Sequence, residues 1–293
     1  MILYSPVHEI FSIGSFHVYS WGLMFVLGFI VASFFVLRES EKRKIDQNFI
    51  LNVLLMILLG AVLGGRLFFV FEHLGYFLNH LGEIFAFGQG GETSYGGILL
   101  SLFFVWIYTK FSKNPSKIKF SQVLDLIAPY AVLAAAIARI GCFLNWCCYG
   151  IQSNLLWAIQ VSGDIARHPT QLYELVYCLI IFGLLVWFKK IKEKGKQVVS
   201  VKNANTTEHT SLDSANTASK VVLKHTENKI SGFRKLLNKN GALFLFFLIF
   251  YSVFRFFNDF LRVYDNYFLG LAESQWILMI VFVISILVLW KKN

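Results

Sequence analysis

The sequence predicts an all-α, polytopic membrane protein of about seven transmembrane helices, with its N-terminus outside and its C-terminus inside. Of the 293 residues, 56% are hydrophobic and 17% aromatic, whereas only 15% are charged. An ordinary soluble domain has about 25% charged residues. Apolar runs near the roughly 20 residues needed to span a bilayer recur along the whole chain. Short basic loops separate several of them, as in inner-membrane proteins.

Seven apolar runs predict the spans. They are 18–37, 49–71, 95–112, 121–145, 171–188, 241–260 and 273–290. The first, VYSWGLMFVLGFIVASFFVL, contains no charged residue. Spans two and four also carry small residues at helical spacing, namely Gly60, Gly64 and Gly65 in one and AVLAAAIA (131–138) in the other. Such faces let neighbouring helices approach closely, so we expect them to serve packing.

The charged loops indicate the orientation. Lys and Arg are concentrated in RESEKRK (38–44), KFSKNPSKIK (110–119) and KKIKEKGK (189–196), and the intervening loops lack this bias. The positive-inside rule then places the N-terminus outside and the C-terminal KKN inside, which an odd number of spans also requires. Topology therefore explains the net charge of +10, and we expect no nucleic-acid partner.

One region interrupts the pattern. The stretch 189–240 includes KNANTTEHTSLDSANTASK, is rich in Ser, Thr, Asn and Lys, and has no aromatic residue before Phe233. This composition cannot bury enough apolar surface to fold. We therefore predict three parts: helices one to five with outward-facing loops (1–188), a disordered basic cytoplasmic insertion (189–240), and helices six and seven (241–293).

Several ionisable residues fall inside the predicted spans. Arg66 follows two glycines in span two, Arg139 lies near the outer end of span four, and Arg255, Asp259 and Arg262 are spaced i, i+4, i+7 in span six. At a helix centre each costs about 2.5–3.5 kcal/mol, so such residues usually line a polar cavity. The arginines share the outer half of the membrane, which favours binding of a phospholipid phosphate. The alternative is that each snorkels or pairs with a carboxylate, with Arg255 and Asp259 as the obvious couple.

Two polar motifs lie on the same predicted side. GGETSYGG (90–97) begins span three, and its glycines allow close backbone approach. RHPTQLYE (167–174) precedes span five, where His168 could act as a base or serve a structural role. Glu174 falls at a span boundary, and its position predicts no particular function.

The stretch ARIGCFLNWCCYG (138–150) places an arginine and three cysteines at the end of an apolar span. It resembles the signature G-R-I-G-N-F-x-N-x-E-x-x-G of the bacterial prolipoprotein diacylglyceryl transferases. SWGLMFVLGF, LGGRLFFVF, SYGGI, RHPTQLYE and RFFNDFLR match further family motifs in the same order. The resemblance implies transfer of the diacylglyceryl group from phosphatidylglycerol to the lipobox cysteine thiol of a prolipoprotein, with release of glycerol 1-phosphate.

The resemblance also implies the site. Arg139 matches the phosphatidylglycerol-binding arginine, Arg255 an essential arginine, Asp259 its acidic partner (Glu in the family), and Tyr95 a position held by His or Tyr. The predicted catalytic residues are Arg139, Arg255, Asp259 and Tyr95. The predicted substrate-binding residues are Arg139, Arg66, Asn145, Gly150, Trp21, His168 and Arg262.

The implied partners are phosphatidylglycerol, the lipobox segment and the membrane, without metal or cofactor. The implied location is the bacterial plasma membrane, with the site toward the outer leaflet.

The chain also departs from the family pattern in the signature stretch and in span one. Cys142 replaces Asn, Cys147 replaces Glu, and Trp21 stands where many members have Tyr. The thiols could form a disulfide or be small buried residues. A metal site lacks nearby histidines at ligand spacing, and a relay nucleophile would form a thioether, which is a poor leaving group. The alternative function is a non-catalytic or differently specific phospholipid-binding homologue. A transporter is disfavoured, because neither an inverted repeat nor a broken helix pair is visible.

Overall fold

The computed structural model describes residues 2–14, 16–85, 93–112, 116–204, 232–264 and 267–291. Its longer elements are helices, as predicted. They are α1 (Ser20–Lys42), α2 (Gln47–Glu72), the short α3 (Leu74–Phe77), a 3-10 turn (Leu81–Phe85), α4 (Ser94–Phe111), α5 (Phe120–Leu144), α6 (Thr170–Ala204), α7 (Ala242–Asp259) and α8 (Glu273–Lys291). The all-α class is therefore confirmed.

Short strands occur in the described chain before α1 and in connections between helices. β1 (Ile2–Tyr4) pairs in parallel with β4 (Ile159–Val161). β2 (Glu9–Ile13) pairs antiparallel with β3 (Phe16–Tyr19), and β5 (Tyr267–Phe268) with β6 (Leu271–Ala272). The β1–β4 pair joins the N-terminal segment to the loop between α5 and α6.

Six of the described helices are long and apolar enough to cross a membrane: α1, α2, α5, α6 as far as Glu193, α7 and α8. The predicted third span is a shorter apolar helix, Tyr95–Phe111 within α4. Each predicted span thus corresponds to an apolar helix. A multi-pass membrane protein is confirmed.

The chain forms two compact units, one of Met1–Ala32 with Ile127–Asn293 and the other of Ser33–Leu126. In the second unit, α2 packs on α4 through the predicted glycine face. A Cβ atom at Gly60 would lie 2.4 Å from Ser101 Cα, and one at Gly64 would lie 2.3 Å from the Gly96 carbonyl oxygen. Such distances are shorter than any real contact, so only glycine permits this approach.

In the first unit, α5, α6 and α7 pack together. A buried cluster links Val132 and Ala136 of α5 with Ile181 and Leu185 of α6, and aromatic side chains of α7 cover it. The alanine-rich stretch of α5 also lets α1 approach. A Cβ atom at Gly28 would lie only 2.8 Å from the Ala134 carbonyl oxygen. This packing brings the ends of these helices to one place, where the polar residues lie.

Helical structure extends into the predicted insertion (189–240) from both of its ends. Helix α6 continues to Ala204. Beyond the gap, residues 232–237 are helical, and Leu237 is fully buried with Phe188 and Leu243. These apolar contacts give the ends of the segment a buried apolar surface. Residues 205–231 lie outside the described part of the chain, and for them the predicted disorder stays a prediction.

Candidate active site

A buried carboxylate on α6 is the centre of the polar cluster in the first unit. Glu174 Oε1 lies 3.0 Å from Arg139 Nη2 of α5 and accepts a hydrogen bond of 3.0 Å from the Tyr251 hydroxyl of α7. Its other oxygen, Oε2, accepts from Arg255 Nη1. The Glu174 side chain is 2% exposed. A buried charge needs partners of opposite charge. The shared Glu174 carboxylate therefore pairs with two guanidinium groups and keeps them close to each other.

Arg255 has a second carboxylate partner on its own helix. Its Nε lies 2.9 Å from Asp259 Oδ1, so the predicted pair is confirmed as an ion pair. Ser274 of α8 donates to Asp259 Oδ2 at 2.7 Å, and Arg255 Nη2 donates to the Tyr264 hydroxyl at 3.3 Å. Burial raises the pKa of Tyr264, which therefore remains a neutral hydroxyl. Glu174, Asp259 and Tyr264 together hold the Arg255 guanidinium in place.

The prediction that Arg262 shares a helix face with Arg255 and Asp259 is wrong. Helix α7 ends at Asp259, and Arg262 lies beyond it in an isolated antiparallel bridge with Gly150. The residues on either side of Arg262 make the bridge, since Ile151 N–H donates to the Leu261 carbonyl oxygen at 2.9 Å and Val263 N–H to that of Tyr149 at 3.5 Å, and the chain leaves the helix there. The side chain still reaches the same carboxylate, with Nη1 3.9 Å from Glu174 Oε2. Arg262 is buried, and its Nε has no hydrogen-bond partner among the described residues.

The signature turn after α5 is held to neighbouring segments by backbone contacts. Gln171 and Thr170, at the start of α6, donate to the carbonyl oxygens of Cys147 and Cys148 at 2.6 and 2.7 Å. A Cβ atom on Gly150 would lie 2.4 Å from the Leu261 carbonyl oxygen. Gly150 is thus required where three backbone segments meet, and the structure gives it a packing role.

The N-terminal segment also contacts the turn. His8 Nδ1 lies 3.0 Å from Asn145 Oδ1, and Tyr4 donates to the Leu144 carbonyl oxygen at 3.2 Å. Trp21, half-exposed at the start of α1, has its backbone against Gly141, where a Cβ atom would lie 2.8 Å from Trp21 Cα. The structure therefore brings Asn145 and Trp21 to the same end of α5.

His168 lies just before α6 and belongs to a short chain of hydrogen bonds. Trp157 Nε1 donates to the Tyr173 hydroxyl at 2.8 Å, and that hydroxyl lies 3.1 Å from His168 Nδ1. The tautomer of His168 determines which of the two groups, the Tyr173 hydroxyl or His168 Nδ1, donates this hydrogen bond. Partial burial lowers the pKa of His168, which favours the neutral ring.

Two predicted site residues lie in the second unit. Arg66 is buried and donates from Nε to the Ile84 carbonyl oxygen at 3.0 Å, and from Nη2 to that of Glu83 at 2.5 Å. Its guanidinium also lies over the rings of Phe69 and Phe77. Tyr95 is exposed near the start of α4. The substrate roles assigned to Arg66 and Tyr95 stay predictions.

The four cysteines are free in the structure, so the disulfide alternative is not realised in it. Cys178 is buried in the core of the first unit, as expected for a small apolar residue. Arg139 Nη1 donates to Cys142 Sγ at 3.5 Å, and Cys147 Sγ donates to the Cys142 carbonyl oxygen at 3.6 Å. Among the described residues, no group of three or more His, Cys, Asp or Glu side chains could hold a metal ion.

Sequence reasoning missed two members of the cluster, Glu174 and Tyr251. Glu174 ends the motif RHPTQLYE, and it is the only acidic residue in the apolar part of α6. A lone acid entering a span that contains no base indicates a partner on another helix. That signal was available, whereas nothing local marks Tyr251 among the aromatic residues of α7.

The cluster has an excess of positive charge. The guanidinium groups of Arg139, Arg255 and Arg262 face two carboxylates, Glu174 and Asp259. Arg139 keeps 22% of its side chain exposed, and Arg262 keeps one unpartnered donor. One singly charged anion would balance the site and satisfy these donors. Fold and site together define a multi-pass membrane protein with a buried cluster of arginines and carboxylates at its helix ends.

Comparison with known proteins gives the particular family. The family description "Prolipoprotein diacylglyceryl transferase" matches residues 8–202 and 219–291. The chain therefore belongs to the prolipoprotein diacylglyceryl transferase family. The resemblance predicted from the motifs and the enzyme class that it implied are both confirmed.

Individual relatives agree with the family match. Three of them are named phosphatidylglycerol–prolipoprotein diacylglyceryl transferase. The chain is 35% identical to the protein of Finegoldia magna over 192 residues, which are 65% of this chain and 75% of that protein. It is 34% identical to the protein of Pseudoalteromonas translucida over 209 residues, which are 69% of this chain and 77% of that protein. A 26% identity to the Pediococcus pentosaceus protein extends over 97% of this chain and 90% of that one.

Proposed function

We propose that this protein transfers the diacylglyceryl group of phosphatidylglycerol to the thiol of a lipobox cysteine in prolipoproteins, releasing glycerol 1-phosphate. The names of its relatives state this donor and this class of acceptor for those proteins. The observation that carries the proposal is the group of three arginines around Glu174, which has one positive charge in excess of its carboxylates.

The phosphate diester of phosphatidylglycerol has the charge that the cluster lacks. Arg139 and Arg262 would bind it, because the first is partly exposed and the second has an unpartnered Nε. Arg255 would add a further positive charge and is held in place by Asp259 and Tyr264. Arginine suits this task because it stays charged at every accessible pH and presents several donors in one plane.

The same groups would act in the reaction. The client thiolate attacks the glycerol carbon of the diacylglyceryl group, and the bond from that carbon to the phosphate oxygen breaks. The leaving phosphate monoester gains negative charge in this step, so nearby guanidinium groups stabilise the transition state more than the bound lipid. The acceptor must be a thiolate, since a free thiol titrates near pH 8.5 and is a poor nucleophile when protonated. Asn145, Gly150, Trp21 and His168 would shape the surroundings of the two substrates.

The proposed location is the bacterial plasma membrane, with the site at the outer leaflet. The site lies where α5 ends and α6 begins, and where α7 ends and α8 begins. The basic stretches 38–44 and 110–119 include the end of α1 and precede α5, and 189–196 lies in the C-terminal half of α6. The positive-inside rule places these loops in the cytoplasm, with the middle of 189–240 as an insertion there. A reporter active only in the cytoplasm, fused after Lys291, should therefore be active, and an inactive fusion would reverse the orientation.

A defined assay tests the reaction. The purified protein is mixed in detergent with phosphatidylglycerol and a lipobox peptide. Glycerol phosphate release and peptide mass are followed together, with a Cys→Ser peptide and phosphatidylethanolamine as controls. We expect release only with phosphatidylglycerol and the cysteine peptide, at a one-to-one ratio with lipidated peptide. Binding of phosphatidylglycerol without any release would instead support the non-catalytic alternative.

A further inference from the structure

The guanidinium group of Arg139 has a second side-chain partner besides Glu174. Its Nη2 lies 3.0 Å from Glu174 Oε1 of α6, and its Nη1 donates to Cys142 Sγ, one turn further along α5, at 3.5 Å. A single partner lets a planar group turn about the contact, whereas partners at both terminal nitrogens fix the orientation of the plane. Cys142 and Glu174 together therefore set the direction in which Arg139 presents its other donors.

Cys142 is itself held in place by its neighbours. A Cβ atom at the preceding residue, Gly141, would lie 2.8 Å from the backbone of α1, so the two helices touch there. The Cys142 carbonyl oxygen accepts from the Cys147 N–H at 3.1 Å and from the Cys147 thiol at 3.6 Å. Gln171 of α6 donates to the Cys147 carbonyl oxygen at 2.6 Å, and Glu174 follows one turn later on the same helix. Both partners of Arg139 are therefore fixed to α6, Glu174 directly and Cys142 through the signature turn.

A thiol suits the task of orienting an arginine that must also bind a ligand. Sulfur is a weak hydrogen-bond acceptor, in contrast to the Glu174 carboxylate. The contact with Cys142 therefore directs Nη1 and leaves the positive charge of Arg139 for a further anion. A guanidinium group has five N–H donors, and the two contacts of Arg139 with described side chains occupy its two terminal nitrogens once each. The Arg139 side chain is 22% exposed, which gives a phosphate access to the remaining donors.

We propose that Cys142 is a positioning residue for the transfer reaction. Its sulfur orients the Arg139 guanidinium so that the remaining donors face the phosphate of phosphatidylglycerol. This role rests on the proposed function. Without the sulfur, Nη1 loses its partner and the guanidinium turns about its contact with Glu174. A misdirected donor set binds the phosphate less well, so we expect kcat/KM for phosphatidylglycerol to fall about fivefold, with the KM for the lipobox peptide unchanged.

Three substitutions of Cys142 separate its hydrogen bond from its volume. Cys142→Ala removes the acceptor, and Cys142→Val removes it while filling the space, so both should show the fivefold loss. Cys142→Ser is close in size to Cys142→Ala but keeps an acceptor, and it should retain most of the activity. Cys178→Ala is the matched control, because it removes a buried thiol from the hydrophobic core of the same unit. All rates are measured in detergent with the full-length protein and are expressed per folded molecule.

A double-mutant cycle tests whether Cys142 acts through Arg139. In Arg139→Lys the side chain has one terminal nitrogen, which cannot contact Glu174 and Cys142 in the way that the two nitrogens of arginine do. We therefore expect Cys142→Ala to reduce kcat/KM by less than twofold when Arg139→Lys is already present. Residues that act through one contact show this non-additivity, whereas independent residues do not.

The outcomes distinguish this role from the proposed function. Full activity of Cys142→Ala and Cys142→Val, an equal loss in Cys142→Ser and Cys142→Ala, or a fivefold loss that persists with Arg139→Lys would each overturn the positioning role. If the wild-type protein releases no glycerol phosphate, the proposed function fails. Binding of labelled phosphatidylglycerol to the same variants then decides the role of Cys142, because the weaker binding expected for Cys142→Ala does not depend on turnover.

Discussion

Buried arginines occur in both units of this protein, and the partners that the described residues give them differ in kind. In the second unit, Arg66 donates to two backbone carbonyl oxygens and lies over two phenylalanine rings. In the first unit, Arg139 and Arg255 converge on Glu174, with Arg262 nearby. Carbonyl oxygens and rings are neutral partners that fit one guanidinium to its own helix and loop. A carboxylate shared by several guanidinium groups holds positive charges close together.

The comparison separates two settings of a buried arginine inside a membrane protein. Hydrogen bonds to the 3-10 turn fix the chain around Arg66, so its position stabilises the second unit. Similar charges repel unless a counter-charge holds them, and they retain a net attraction for a further anion. An arginine cluster with an incomplete set of counter-charges is therefore a better indicator of a phosphate site than the number of arginines in a leaflet.

The largest effect is expected when the shared carboxylate is neutralised. Glu174→Gln leaves Arg139 and Arg255 buried without their common counter-charge, which should lower the free energy of unfolding by about 3–5 kcal/mol and abolish transfer. Thermal unfolding followed by tryptophan fluorescence and the glycerol phosphate assay measure the two effects. Glu83→Gln is the matched control in the second unit, because Arg66 uses the Glu83 backbone oxygen and not its carboxylate. Equal losses in both variants would contradict the distinction.

The next effect compares arginines directly. Arg139→Lys keeps the charge but loses the planar set of donors, so we expect kcat/KM for phosphatidylglycerol to fall roughly 10- to 100-fold. Arg66→Lys should instead lower the unfolding temperature and leave the KM for the lipid nearly unchanged, since its carbonyl partners lose their donors. Steady-state kinetics at several lipid concentrations separate the two results. A KM that rises as much in Arg66→Lys as in Arg139→Lys would restore the substrate role predicted for Arg66.

Contacts close in sequence could be predicted, and those between helices mostly could not. The pair of Arg255 and Asp259 follows from i, i+4 spacing, and the structure has it at 2.9 Å. The same reasoning extended one turn to Arg262 was wrong, because the bridge to Gly150 ends the helix first. Helix periodicity describes one element, whereas the end of α7 is decided by a segment more than 100 residues earlier in the chain.

Glu174 is a second residue whose contacts with other helices could not be predicted from the sequence. Its partners lie on α5 and α7, and no local pattern in RHPTQLYE indicates which helices surround it. The motif order revealed the family, and the polar residues of the spans marked the region. Only the packing of α5, α6 and α7 shows that a single carboxylate organises the arginines. For the predicted insertion, composition was a poor guide at the ends, where a few apolar residues such as Leu237 are enough to anchor the chain.

A smaller effect concerns the glycines that bring segments together in each unit. Gly150→Ala places a Cβ atom against the Leu261 carbonyl oxygen and should destabilise the first unit by about 1–3 kcal/mol. It should also reduce transfer, because the bridge to Arg262 opens. Gly64→Ala in the second unit should cost similar stability with a smaller change in the rate per folded molecule. Gly183→Ala, which has open space around its Cβ position, is the control. A greater loss of transfer rate per folded molecule in Gly64→Ala than in Gly150→Ala would contradict the assignment of the transfer site to the first unit.

The smallest effect is expected from His168, which lies just before α6 in the first unit. Partial burial lowers its pKa in the folded protein, so the unfolded chain binds a proton first as the pH falls. Stability should therefore decline slightly as the pH drops through the ordinary histidine range near 6.5 and level off below the folded pKa. His168→Gln should remove this slope in unfolding temperature between about pH 7 and pH 5. If the slope keeps its size in the variant, another group causes the pH dependence of stability. If the slope disappears and transfer is lost at all pH values, His168 takes part in the reaction as well as in the fold.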